Sequence, residues 1–258
     1  MMKALACLVC LTLFLPVFAQ KQIAQSFYQI SVYHYKDSSQ EKTINQYLQN
    51  ALLPALHRMN IKPVGVFTSL SNDTSADKKM YVLMPVKSLD EIASLSSKLN
   101  GDKAYTTAGK EYLTAAFNAA PYTRMETILL QAFPLAPTIQ QPQLKSPNKN
   151  RVYELRSYEG PTEQFHASKV KMFNVGDEVG IFKHLNFNPV FYAEVLAGSH
   201  QPNLMYMTTF ENMPDREEHW KQFMNSEAFK KLLQMPEYDH NVSKADIIFL
   251  RPADYSDL

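Results

Sequence analysis

Glu154 and Arg156 stand two residues apart in VYELRSYEG, residues 152–160. Side chains alternate across a β-strand, so this carboxylate and guanidinium share one face, opposite Tyr153 and Leu155. An arginine so placed can hold a carboxylate or phosphate by paired hydrogen bonds, with the glutamate setting its orientation. The same charges can instead satisfy each other as an internal ion pair, since buried charges persist only when paired. Residue type and spacing leave both readings open. Tyr192 and Tyr206 are the aromatic candidates for the same site, with Glu194, Met205 and Met207 as further lining.

Other chemistry-bearing residues are less well placed. Gly198-Ser199-His200 sets a hydroxyl beside an imidazole, but neighbouring side chains on a hairpin loop diverge and no acid stands beside them in sequence. A turn is the simpler reading. His166 and His184 lie on or beside one long helical segment, where a lone histidine either ligates haem or, more ordinarily, sits at the surface or a cap. Glu217-Glu218-His219 and Asp239-His240 lack metal-ligand spacing, and no HExxH or CxxC is present. With seven glycines there is no glycine-rich phosphate loop. No metal and no cofactor is called for, and Trp220 reads as core.

The N-terminus bears on compartment. MMKALACLVCLTLFLPVFAQ has one early lysine, an apolar run and a Val-Phe-Ala cleavage signature, the pattern of a signal peptide spanning 1–19. The run is too short to span a membrane comfortably, and no later segment approaches one. An exported protein, periplasmic or secreted, is expected. Cys7 and Cys10 both lie in this segment, so disulfides, zinc–thiolate centres and cysteine nucleophiles are excluded from the processed chain. Loss of Lys3 leaves 25 basic and 25 acidic residues, interspersed as in SKVK and DREEHWK. That balance argues against nucleic-acid binding.

The elements that must position these residues occur twice. Tyr33 and Tyr158, Tyr81 and Tyr206, and Asp90 and Asp215 are each 125 residues apart, and Pro63 and Pro189 are 126 apart. Each half reads as βαββαβ. In the first, strands are expected at 27–35, 64–70, 80–86 and 127–133, with a helical stripe from Ile44 to Leu56 kinked at Pro54. Ser88-Leu89-Asp90-Glu91 is a capping box, and 109–119 extends the helical layer. In the second half, helical positions Phe165, Met172, Val175, Val179 and Phe182 precede strands at 190–197 and 204–210. A helical run bearing Trp220 and Phe223 and a last strand at 246–250 complete it.

This order gives an α+β fold: two tandem ferredoxin-like units, each a four-stranded antiparallel sheet with helices on one face. The bare faces must find cover, and packing them together makes one intramolecular pseudo-dimeric α+β barrel. The proline-rich linker 135–150 reaches about 50 Å when extended, enough to cross it. At the 125-residue offset, Glu154 matches Gln29 and Arg156 matches Ser31, while Tyr153 and Leu155 match Tyr28 and Ile30. Tyr153 and Leu155 suit packing under helices, so the Glu154/Arg156 face is expected to point into the barrel or its mouth.

The second half resembles the NIPSNAP family, on VYELRSYEG, FNVGDEVGIFKHLNFNPVFY, LMYMTTFENMPDREEHWKQF and IIFLRP, over 151–252. The first half, 27–134, looks like a diverged relative without the ELR signature. The resemblance implies a ferredoxin-like fold in the dimeric α+β barrel superfamily and no established reaction. Many members carry a His and a Trp in the strand that here reads LMYMTTF, so no role of theirs carries over. The expected function is binding of a small ligand or protein partner through the barrel. The alternative is an enzyme of monooxygenase or isomerase type, haem-dependent or cofactor-free, using a cavity around Glu154 and Arg156. An enzyme requires a cavity of several hundred Å³, on the order of any small-molecule site. An interaction module requires a filled barrel and an exposed apolar patch or edge. A homo-oligomer is compatible with either.

Overall fold

The computed structural model describes residues 24–258, and the signal peptide expected at 1–19 lies outside them. The first half contributes strands β1 (Phe27–Tyr35), β2 (Gly65–Ser69), β3 (Lys78–Val86) and β4 (Arg124–Ala132). The second contributes β5 (Val152–Glu159), β6 (Pro189–Ala197), β7 (Asn203–Phe210) and β8 (Lys244–Pro252). All neighbours pair antiparallel, and the eight strands close into one barrel in the order β1-β3-β2-β8-β5-β7-β6-β4. β2 pairs with β8 and β4 with β6, so the edge strands of each half-sheet are covered by the other's.

Helices lie outside the barrel in two groups. The first half carries α1 (Ser38–Tyr47), α2 (Leu53–Arg58), α3 (Leu89–Gly101), α4 (Lys103–Ala108) and α5 (Lys110–Leu113). The second carries α6 (Glu163–Asn174), α7 (Glu178–His184), α8 (Met213–Asn225) and α9 (Glu227–Leu233). Between α1 and α2 the chain makes a π-helical turn at Leu48–Leu52, immediately before Pro54. The extra residue in that turn accommodates the proline that a regular helix would reject. Ser88 caps α3 by accepting from the Glu91 amide at 3.2 Å. The helical layer expected over 109–119 stops at Leu113. Phe165 and Val175, expected on the packed helical face, are exposed; Val175 falls just past the end of α6 at Asn174, before a left-handed Asp177 restarts the chain as α7.

Three hydrophobic cores result. Tyr28, Ile30, Val32, Leu83, Tyr153, Leu155, Met205 and Met207 fill the barrel interior. Tyr33, Tyr35, Leu56 and Val82 meet the first group of helices. Phe173, Phe182, Tyr206, Trp220 and Phe223 meet the second. β1, β3, β5 and β7, central in the two half-sheets, are therefore largely buried on both faces. Tyr81 and Tyr206, matched at one sequence offset, turn to opposite sides: Tyr81 faces the barrel and Tyr206 the helices. Their ladder positions differ by one residue, since Tyr81 lies opposite Val32 whereas Tyr206 lies opposite Arg156. A one-residue slip in a period-2 element reverses the face.

One end of the barrel is sealed. Past β8 the tail runs along β2, with Ala253 and Asp257 amides donating to the Val66 and Val64 carbonyls at 2.9 and 3.0 Å. Leu258 thereby enters the barrel core. The linker crosses the same end, donating from Gln140 to the Val190 carbonyl at 2.8 Å and packing Ile139 on the barrel core. Gly65 permits this closure: a Cβ there would lie 2.5 Å from the Phe67 ring and 3.0 Å from Leu258. Gly65→Ala is expected to lower stability by about 1–3 kcal/mol through overpacking. An unchanged urea midpoint would show that the seal is looser than this.

Candidate functional site

Glu154 and Arg156 face the helices, opposite to the direction expected from sequence. Tyr153 and Leu155 are the residues that enter the barrel. The reason is the supply of partners. The barrel core offers no charged partner, whereas α8 brings Arg216 and Trp220 over the outer face of β5. The Glu154 carboxylate, fully buried, accepts from Arg156 Nε at 2.6 Å, from Arg216 Nε at 2.7 Å and NH2 at 3.1 Å, and from Trp220 Nε1 at 2.9 Å. Four donors use the lone-pair capacity of a carboxylate. The Arg156 guanidinium stacks on Trp220, 3.5 Å from the ring centroid, and donates to the Tyr158 hydroxyl at 2.8 Å.

Tyr206 joins this network through Tyr158, hydroxyl to hydroxyl at 2.9 Å, and Tyr192 stacks on Tyr206 with ring centroids 5.6 Å apart. Burial pushes both phenols well above their ordinary range, so they stay neutral. The four candidate residues are thus brought together, but beneath helices. None of them lines any of the principal cavities. The cavity expected around Glu154 and Arg156 is replaced by a closed ion-pair network. His166 and His184 do not reach the barrel cavity either. His166 is buried with Nε2 on Glu194 at 3.1 Å, and His184 lies near the Gly180 carbonyl, so haem ligation by them finds no support.

A cavity does open at the unsealed end of the barrel, with a volume of about 760 Å³. Val32, Tyr81, Ile128, Met205 and Ile248 form its apolar floor, each the inward residue of a different strand. One rim carries His34, Asp77, Lys79 and Glu126. His34 is 2% exposed, its Nδ1 lies 2.8 Å from Asp77 Oδ1, and Arg124 NH2 lies 3.2 Å from Nε2. Arg124 in turn pairs with Glu126 at 2.7 Å. His34 Nε2 also lies 3.3 Å from Glu126 Oε1, so the ring is held between two carboxylates with Arg124 beside it. The Asp77 carboxyl is held below its ordinary range; burial opposes this, and the His34 hydrogen bond with the His34, Lys79 and Arg124 charges outweighs it.

The other rim carries Ser157, His200, Asn203 and Asp246. Ser157 and Asn203 are hydrogen-bonded to each other at 2.8 Å. His200 does have an acid beside it, Glu159 at 2.9 Å, which sequence adjacency could not reveal across a separation of 41 positions. Ser199 and His200 occupy the turn expected of them. The His34 side of the cavity was not singled out from sequence. The available signal was its phase: His34 continues the inward series Tyr28, Ile30, Val32, the one polar member of an apolar stripe.

Residues 153–257 match the NIPSNAP family model. That match lies wholly within the second half of the chain. Whole-chain likeness is found to a putative monooxygenase from Lactobacillus acidophilus, at 11% identity over 88% of this chain and 94% of that one, TM-score 0.56. A putative monooxygenase from Fusobacterium nucleatum is similar at 8% identity over 89% and 93%, TM-score 0.56. An anthrone oxidase-like protein follows at 7% over 90% and 93%, TM-score 0.50. At such identities the likeness shows a shared α+β barrel fold alone. No curated protein matches the chain. The second half supplies Ser157, His200, Asn203, Met205 and Asp246 to the cavity, and the first half supplies Val32, His34, Asp77, Tyr81 and Glu126. Among the described residues no helix is long and apolar enough to cross a membrane.

Proposed function

We propose that this protein binds a small, largely apolar molecule with a polar end, in the open end of the barrel. The observation that carries this reading is the 760 Å³ cavity with an apolar floor, a polar rim and a sealed opposite end. Small-molecule sites have this size and composition, whereas a protein-docking module would have a filled barrel. The two halves are read as diverged copies of one ferredoxin-like unit, so one mouth is walled by both. The N-terminal pattern supports export, which N-terminal sequencing of the processed protein tests: a chain beginning at Met1 rather than near Gln20 would remove that element.

The environmental probe N-phenylnaphthylamine tests binding. Saturable, one-to-one fluorescence enhancement is expected with the wild type. Met205→Trp fills the floor and should weaken binding by at least about tenfold. Equal binding by both proteins would place the probe elsewhere and defeat the proposal.

The His34–Asp77 pair favours an enzymatic version of this reading. A buried imidazole at the cavity rim, held between the Asp77 carboxylate and the Arg124–Glu126 pair, is a group that could move a proton. The resemblance in fold to proteins named as monooxygenases is compatible with that version. Native mass spectrometry of wild type and His34→Ala, purified gently from the same cells, separates binding from turnover. Retained molecules of different mass would mark conversion, and identical masses would leave binding alone.

A further inference from the structure

We propose that Glu159, His200 and Asp246 hold a divalent first-row transition-metal ion at the rim of the barrel cavity. Their ligand atoms, one from each side chain, lie within 4.8 Å of one another, the only such group of three among the described residues. Bonds of about 2.0–2.2 Å to one ion set neighbouring donors about 3.0–3.6 Å apart, so the side chains must draw together on binding.

The scaffold under two of the three donors is fixed. Ser157 lies opposite Asp246 in the β5–β8 ladder, and Glu159 lies opposite Lys244. Glu159 and Asp246 are therefore diagonal neighbours, within reach of each other on one surface. The Glu159 carbonyl accepts from the Ser243 amide at 2.8 Å, and the Gly160 amide donates to the Pro202 carbonyl at 2.9 Å. These bonds tie the end of β5 to both β8 and the hairpin carrying His200. His200 Nδ1 sits 2.9 Å from Glu159 Oε1.

The cup already holds one positive charge, which an entering ion must displace. The Lys244 ammonium lies 3.4 Å from Glu159 Oε1 and 3.1 Å from Asp246 Oδ2, between the two carboxylates. Its side chain is about half exposed, and its flexible stem leaves it free to swing into solvent when a dication enters. One imidazole with two carboxylates suits Mn²⁺, Fe²⁺, Co²⁺ or Zn²⁺. Copper(I) prefers thiolates, and Ca²⁺ and Mg²⁺ prefer all-oxygen sets. His200 and Asp246 also line the cavity, so positions not filled by protein would face a molecule bound there.

The test uses the ion alone and so stands apart from the ligand-binding proposal. The chain from Gln20 to Leu258, stripped with chelator, is titrated with Mn²⁺ by electron paramagnetic resonance and with Co²⁺ by visible absorption. One saturable site is expected for each ion. Glu159→Gln and His200→Ala should each lower the affinity by at least about tenfold, since even second-shell changes cost that much. Glu218→Gln, a carboxylate on the exposed side of α8, should leave it unchanged. Circular dichroism melts without metal confirm that the variants are folded. Absence of saturable binding, or binding undiminished in both ligand variants, overturns the proposal.

Discussion

Glu154→Ala is expected to lower unfolding free energy by about 3–5 kcal/mol, the cost of breaking a buried ion pair from one side. The carboxylate is fully buried and accepts from three residues, Arg156, Arg216 and Trp220. Removing it leaves Arg156, 9% exposed, beside Arg216 with no anion between them. Their like charges then repel in a medium that screens poorly. Trp220 also loses the acceptor for its indole N–H. Glu154→Gln keeps the shape but not the charge and should recover only part of the loss. Trp220 is the only tryptophan in the chain, so its fluorescence reports urea unfolding from inside the network itself. N-phenylnaphthylamine binding by the folded mutant should persist, because the cavity is on the other side of β5. A mutant of wild-type stability that no longer binds would instead make Glu154 a ligand-orienting residue.

Leu258→Ala is expected to cost about 2–5 kcal/mol, the range for truncating a leucine in a core that cannot collapse. The tail cannot simply follow the smaller side chain inward. It is held to β2 by the two amide bonds already described. The Val64 amide also donates to Asp257 Oδ2 at 2.7 Å, and the Val66 amide donates to Ser256 Oγ at 2.9 Å. Tyr255 adds a bond to Asn45 at 2.6 Å. The void would therefore remain beside Phe67 and Tyr153, in the same core as Leu258. Urea denaturation gives the stability difference, and a loss below about 1 kcal/mol would mean that the tail is not a sealing element. Probe affinity should be retained, since the cavity opens at the opposite end of the barrel.

Much of this was written locally. The bounds of β1, the capped start of α3 at Ser88, the disturbance at Pro54 and the sharing of one face by Glu154 and Arg156 all follow from short-range periodicity and capping chemistry. The barrel was legible as well, because four apolar strands with helices on one side leave a face that needs cover. The resemblance of the second half to NIPSNAP proteins rested on motifs contiguous in the chain, and the family match covers the same region.

Tertiary structure decided the rest. Alternation divides a strand into two faces but does not say which is which. Here both are buried, so hydrophobicity gives no sign, and Tyr153 and Leu155 look as suited to one side as to the other. The presence of Arg216 and Trp220 on α8 chose the direction. The one-residue difference in ladder position between Tyr81 and Tyr206 likewise depends on partner strands, not on either strand's own sequence. His34, Asp77 and Glu126 come from β1, the loop before β3, and β4, while Glu159, His200 and Asp246 come from β5, the β6–β7 hairpin and β8. No local spacing links such residues. Strand pairing around a closed barrel brings their side chains to one rim, and only that long-range register gathers them.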